Sequence, residues 1–303
     1  MTPLGSAEFL AHHPTELAFT LSLLLSLTIT LAIRATERAR PWLRAGFARR
    51  PKFLGERSVA IFDRLDEALV LLALALLGVF GGSALFLHLV EALREGTWLP
   101  QWDKTFVQTV HVTATSFEVA FFSAITPLAG RYPPVVLGGL VAGLLLSRKH
   151  YKLCSVWVVG LIGNGVLIEG LKRVFQRQRP TFDQPLLVET NFSFPSGHAM
   201  TSILLYGLLA YVFSREFFKY RPIHRHLMIW AITFAGVLIG TSRLVLGVHY
   251  PSDVMAGWSV GATWLAILVL LAEALRGRFG PIELLWSRVR DPEPDALTPQ
   301  PSI

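Results

Sequence analysis

Four side chains within one short stretch have the chemistry to bind and attack an anion. The stretch Gly240–Asp253, GTSRLVLGVHYPSD, carries Ser242, Arg243, His249 and Asp253 between two long apolar segments. An arginine, an imidazole and a carboxylate are costly at the lip of membrane-length segments, which marks them as a functional site. Tyr250 precedes Pro251 and is therefore biased away from the helical region. His249 is accordingly expected on a turn, with the next helix starting near Pro251 and Asp253 in its first turn, facing the imidazole. The alternative is a polar helix start, capped by Ser252, with a histidine that only packs at the interface.

Two other polar groups share that character. In Lys172–Pro180 the cations Lys172 and Arg179 are seven apart, two helical turns, which predicts projection from one face until Pro180 ends the helix. Such residues commonly snorkel to the interface, but here they fall on the side that positive-inside statistics disfavour, and a bound anion is the preferred reading. The run Phe194-Pro195-Ser196-Gly197-His198 opens another apolar segment. A helix N-terminus offers unpaired N–H groups and a positive dipole end, and glycine permits close approach of an anion. His198 is placed to donate a proton. Alone, this run is better explained as a Ser-capped helix start.

The elements that must position these groups are membrane helices. Of 303 residues, 52% are hydrophobic and 16% charged, against about 25% charged in a soluble domain. Mean hydropathy is +0.48. Seven apolar segments, about 17–33, 68–90, 130–147, 153–171, 198–214, 227–245 and 254–273, each approach the length of a bilayer crossing. The net charge of +7 would suit nucleic acid, but the basic residues cluster in short loops between apolar runs, which is a topology signal. The loops 34–67, 148–152 and 215–226 and the tail from 274 hold 20 of the 28 Lys and Arg. That places the linker 34–67 and the C-terminus in the cytoplasm and the N-terminus outside. Residues 1–16 contain no Lys or Arg, so the first segment is expected to be a retained anchor and not a cleaved signal. Between the second and third segments, Phe106, Val110, Phe117 and Phe121 recur at helical spacing, predicting one amphipathic interfacial helix over Asp103–Ile125. Ile282–Arg290 is expected as a short helix on the inner surface, and Asp291–Ile303 as disordered. Cys154, the single cysteine, provides neither a disulfide nor a metal site.

Counting crossings brings all three polar groups to the same, outer side. Lys172, Arg179 and Arg243, two histidines, an aspartate and an N–H nest then share one surface. Three fixed cations suit a phosphate, with the arginines able to bind its oxygens in bidentate fashion.

The chain thus carries K-x6-RP (Lys172, Arg179, Pro180), PSGH (Pro195 to His198) and SR-x5-H-x3-D (Ser242, Arg243, His249, Asp253). In order and spacing it resembles the signature of the type 2 phosphatidic acid phosphatase superfamily, at all eleven specified positions. The resemblance covers roughly 172–253 directly. It implies an all-α integral membrane protein with a six-helix transmembrane catalytic domain over 68–275; outside that core lie the extra N-terminal transmembrane helix and basic linker over 1–67 and the cytoplasmic tail over 276–303, which are read from hydropathy and charge. It implies a phosphatase that needs no metal or cofactor and works through a phosphohistidine. His249 would be the nucleophile, Asp253 its orienting partner and His198 the acid for the leaving oxygen. Lys172, Arg179, Arg243, Ser196 and Gly197 would hold the phosphoryl oxygens.

The implied substrate is a lipid phosphate, handled by a multi-pass enzyme of a bacterial-type inner membrane with an extracytoplasmic site. Undecaprenyl pyrophosphate, phosphatidylglycerol phosphate, phosphatidic acid and lipid A phosphates are the candidates among relatives. A lipid-to-lipid phosphotransferase of the same architecture is the second reading, and a catalytically silent lipid-binding or lipid-moving protein the third. Asn164 and Glu169 are read as structural support within the fourth segment. His111 and Glu118 are read as a solvated face, Tyr250 as packing, and Arg173 and Arg177 as either headgroup contacts or solvated.

Overall fold

The computed structural model describes residues 3–12, 16, 20, 56–216 and 222–276. The expected first crossing at 17–33 apart from residue 20, residues 34–55 of the basic linker and the tail beyond 276 lie outside them. The described elements are helices: α1 (Pro3–Ala11), α2 (Glu56–Glu95), α3 (Trp98–Thr113), α4 (Ser116–Ile125), α5 (Tyr132–Ser147), α6 (Tyr151–Phe175), α7 (Gly197–Glu216), α8 (Pro222–Val245) and α9 (Pro251–Leu275). Four of them hold stretches long and apolar enough to cross a membrane: Leu72–Glu95, Tyr151–Phe175, Gly197–Glu216 and Pro251–Leu275. Tyr132–Ser147 and Trp230–Val245 are shorter apolar stretches. Large apolar side chains such as Leu77, Phe80, Val135, Leu140 and Val166 point outward and are exposed. That surface is stable only against lipid.

α9 lies at the centre, packed against α2, α7, α6 and α8. Its approach to α7 depends on Gly257 and Gly261, four residues apart on one face. A Cβ on Gly257 would lie 2.5 Å from the Ser196 carbonyl oxygen, and one on Gly261 2.8 Å from that of Met200. With no hydrophobic drive between helices in lipid, this small-residue contact lets the backbones meet. Asn164 Nδ2 donates to Thr201 Oγ1 at 2.9 Å, tying α6 to α7. Asn164 is thus the structural support expected, whereas Glu169 is exposed.

The single helix expected over Asp103–Ile125 is two helices. α3 starts earlier, at Trp98, and the chain breaks at Ala114–Thr115, with a bend of 113° between Trp98–Thr113 and Ser116–Ala129. The cause is a capping box: the Glu118 N–H donates to Thr115 Oγ1 at 3.2 Å, and the Thr115 N–H to Glu118 Oε2 at 2.9 Å. T-x-x-E starts a new helix here. Glu118 is therefore a cap, and His111 stacks on Phe182, ring centroids 3.8 Å apart, so neither simply forms a solvated face. α1 packs on α3, with Ala7 and Ala11 fully buried and the Trp102 indole N–H donating to Ser6 Oγ.

Candidate active site

The site forms where the ends of α6 and α8 meet the starts of α7 and α9. α6 stops at Phe175 because Gln176 turns left-handed (φ 44°, ψ 32°), its N–H closing on the Lys172 carbonyl at 2.9 Å. Lys172 sits buried in the last helical turn. Arg179 lies beyond it on an irregular stretch, so the expectation that both project from one helical face is wrong. The helix ends four residues before Pro180, and the loop that follows sets the position of Arg179. That loop folds back on itself: the Ser193 N–H donates to the Arg177 carbonyl at 2.8 Å and Arg179 Nε to the Asn191 carbonyl at 2.6 Å. A cis Phe194–Pro195 bond leads into α7. Ser196 caps that helix, its Oγ accepting from the Ala199 N–H at 3.4 Å, while its own N–H donates to the Asp253 carbonyl at 2.9 Å.

His249 sits on the turn between α8 and α9, as the proline predicted, and Asp253 is the third residue of α9. Both are buried, at 1% and 0% exposure, so their pairing operates away from solvent. His249 Nδ1 is 3.3 Å from Asp253 Oδ2, and Nε2 is 3.1 Å from Arg179 Nη1. A guanidinium carries no acceptor, so Arg179 must donate and Nε2 must hold its lone pair. The ring proton then lies on Nδ1, toward the carboxylate. Burial, followed by the charges of Arg179, Arg243 and Lys172, pushes His249 well below the ordinary imidazole range. Its imidazole is neutral at physiological pH.

Arg243 is 1% exposed; Nη1 donates to Thr126 Oγ1 at 2.7 Å and Nη2 to Glu189 Oε1. Its Nε–H is buried without a partner. The second Glu189 oxygen accepts from Arg179 Nη2 at 3.3 Å. A carboxylate thus bridges the two arginines that a phosphoryl group would need. Burial alone would raise Glu189, but Arg243 and Arg179 outweigh it and hold the group below its usual range, ionised. Among the described residues Lys172 has no hydrogen-bonding partner, yet it lies within electrostatic reach of Arg179, Glu189, Glu169 and Arg243. His198 is in reach of Arg243, Glu189, His249 and Lys172. A Cβ on Gly130 would lie 3.7 Å from its Nε2. Lys172, Arg179, Arg243, His198 and His249 therefore converge, and Ser196 and Gly197 stand at the adjoining helix start. Ser242 turns inward to its own helix, donating to the Ile239 carbonyl at 2.6 Å.

Three members of the site were not assigned to it from sequence. Arg177 Nη1 donates to Asp253 Oδ1 at 2.6 Å, and Nη2 to Asp103 Oδ2 at 2.8 Å. It lies over the Tyr250 ring at 4.2 Å. Burial acts to lower Arg177, but Asp253 and Asp103 overcome it and raise it above its ordinary range. Asp103, fully buried, also accepts from the Ser252 N–H at 3.0 Å and from the Ser252 hydroxyl. Arg177 is therefore neither a headgroup contact nor solvated: it ties the His249–Asp253 turn to α3. The only available signal was that Arg177 lies two residues before Arg179; on an extended segment that spacing puts both on one side, and the irregular backbone beyond Gln176 overrides it. Asp103 and Glu189 had no comparable signal, because loop folding brings them in.

Residues 152–276 match the PAP2 superfamily. The chain is 36% identical over 163 residues to phosphatidylglycerophosphatase B of Bacillus subtilis (strain 168), covering 54% of this chain and 71% of that protein. It is 32% identical over 149 residues to an undecaprenyl-diphosphatase of Sulfolobus acidocaldarius, covering 48% and 65%. The crystal structure of a transmembrane PAP2 type phosphatidylglycerolphosphate phosphatase from Bacillus subtilis superposes with a TM-score of 0.59 at 26% identity, over 66% of this chain and 98% of that one. The chain belongs to the PAP2 superfamily. It is a multi-pass membrane hydrolase of phosphoric monoesters or diphosphates.

Proposed function

We propose that this enzyme removes a phosphate from a membrane lipid through a phosphohistidine on His249, without a metal. The observation that carries the reading is the line Asp253–His249–Arg179. It fixes the imidazole with its proton on Nδ1 and its lone pair on Nε2, toward the cations. Nε2 attacks phosphorus in line as the bond to the leaving oxygen breaks, and His198, which burial and Arg243 otherwise keep neutral, takes up a proton as the anionic phosphate enters and gives it to that oxygen. Asp253 stabilises the cationic ring that forms. A water, losing its proton to His198, then attacks the phosphohistidine and releases inorganic phosphate and neutral His249. Splitting the displacement in this way makes two easier steps.

Phosphoryl transfer is catalysed mainly by positioning and charge. Lys172, Arg179, the free Nε–H of Arg243 and the start of α7 supply that charge. The incoming phosphate displaces Glu189 from the two arginines. The nearby carboxylates Asp103, Asp253 and Glu189 are each held by arginine, which supports a role for cationic side chains in place of a metal. The position of the site at the ends of apolar spans favours a lipid phosphate over a soluble ester. The relatives' names, a phosphatidylglycerophosphatase and an undecaprenyl-diphosphatase, point to a phosphomonoester or pyrophosphate on an anionic lipid. The distribution of basic residues favours an extracytoplasmic site in a cytoplasmic membrane, with the six-helix core over 68–275 as the catalytic unit. The test is phosphate release from a panel of purified lipid phosphates in EDTA. Release by the wild type from at least one lipid, and none by His249→Ala protein, is expected; an absolute Mg²⁺ requirement would refute the metal-free mechanism.

A further inference from the structure

Behind the Asp253 carboxylate is a second cationic cavity. α2 ends at Glu95, Gly96 turns the chain at φ 64°, and α3 begins at Trp98. This reversal brings Arg94 and Lys104 to the mouth of a cavity of about 390 Å³, walled by Phe175, Phe194, Tyr250 and Arg177. The size falls within the usual range for ligand sites. Neither Arg94 nor Lys104 has a hydrogen bond or ion pair among the described residues, and no acidic side chain lines the cavity. Glu91 and Glu95 flank Arg94 on α2 but stay outside it, and neighbouring Asp103 is committed to Arg177 and Ser252.

This cavity is not the seat of the reacting phosphate. Arg177, in its wall, takes Asp253 Oδ1, while His249 faces Oδ2 and turns Nε2 away toward Arg179. The nucleophilic nitrogen and the cavity therefore lie on opposite sides of the Asp253 carboxylate. Arg94 is also at the end of the apolar span Leu72–Glu95, the depth at which a lipid headgroup sits. Two unpaired cations over aromatic and aliphatic walls fit an amphiphilic anion better than a bare ion.

We propose that this cavity is an accessory site for the phosphodiester headgroup of an anionic membrane lipid, held by Arg94 and Lys104 at its rim. His249 does not line this cavity, so a phosphodiester held here is a resident ligand, not a substrate. Because Arg177 is shared with Asp253, an occupied cavity bears directly on the turn that carries the nucleophile.

The test reads binding and is independent of turnover. Full-length His249→Ala protein in neutral detergent is given equimolar phosphatidylglycerol and phosphatidylcholine, and retained lipid is counted by native mass spectrometry. Retention of phosphatidylglycerol about tenfold over phosphatidylcholine is expected. It should vanish in protein that also carries Arg94→Gln and Lys104→Gln, and persist with Arg173→Gln, an exposed basic residue outside the cavity. Arg94 and Lys104 are exposed and unpaired, so an unchanged melting temperature would show that the double variant is folded. Equal retention of the two lipids, or selective retention that survives the double substitution, would overturn the proposal. So would complete displacement of the lipid by millimolar inorganic phosphate, which would show a site for free phosphate.

Discussion

Asp253 gives its two carboxylate oxygens to different partners, and the chemistry of the site follows from that division. Oδ2 faces His249, while Oδ1 is held by Arg177, which Asp103 holds in turn. Removing one partner of a buried ion pair leaves the other charge uncompensated. Arg177→Met is therefore expected to lower kcat by about 10²-fold, as for a lost orienting group, with a smaller change in KM, and Arg177→Lys to recover part of the loss. A mutation that only loosened the fold would not divide kcat from KM in this way. Glu189→Gln should tighten inhibition by vanadate or phosphate by about tenfold, since a charge-assisted contact is worth roughly 1.5–3 kcal/mol; unchanged inhibition would show that the carboxylate does not compete for the arginines. The pH profile has a defined sign. His249 must be neutral to attack, and its folded value lies well below the ordinary imidazole range. Activity governed by His249 should then persist as pH falls through about 6.5, and be lost only nearer the folded value. Stability runs the other way: below the unfolded value the unfolded chain takes up a proton that the fold refuses, so this residue destabilises the protein on the acid side. The placements of His249 and Asp253 were legible because Pro251 dictates the local backbone. Those of Arg177 and Glu189 were not, since each depends on how a loop of about twenty residues folds back.

At the scale of elements, α9 sets the geometry by lying close to α7. Gly257→Ala would drive a methyl into the Ser196 carbonyl, a backbone atom that cannot swing aside. A cost of about 1–3 kcal/mol is expected, read as a lower melting temperature, with activity reduced as well because Ser196 bonds to Asp253. A melting temperature matching wild type would contradict this packing. The apolar segments were readable because membrane spans are long and uniformly apolar, and α5 to α9 fall within a few residues of expectation. The α3–α4 break was missed although T-x-x-E at Thr115–Glu118 announces it: the aromatic periodicity on either side hides the cap. The stop of α6 was missed for the opposite reason. Pro180 looked like the terminator, but Gln176 turns the chain first.

The whole molecule is asymmetric in charge as well as in chemistry. Its other end gathers basic residues around acidic anchors: Arg276 pairs with Glu216 at 3.0 Å, Arg215 with Glu273 at 3.0 Å, and Lys152 caps the Leu275 carbonyl at 2.8 Å. By sequence, the end with the site holds 8 of the 28 Lys and Arg, among them Lys172, Arg94 and Lys104, to which the present account gives functions. Positive-inside orientation then predicts that a reporter fused near residue 45 reads cytoplasmic and one near residue 100 extracytoplasmic. The reverse pattern would put the site on the cytoplasmic face and require a different lipid supply. The orientation itself comes from loop charges, and so from sequence. The accessory cavity does not, because Arg94, Lys104 and Arg177 meet only after the four connections between α2 and α6 have folded.

The central claim is a covalent phosphohistidine on His249. Purified protein should be mixed with a lipid labelled in its terminal phosphate, in EDTA, and quenched in alkali within the first turnovers. The account predicts protein-bound label that survives alkali and is released by acid, present in the wild type, formed more slowly in His198→Ala protein and absent from His249→Ala protein. Phosphate release by the wild type at the full rate without any such label, or undiminished release by His249→Ala protein, would contradict it.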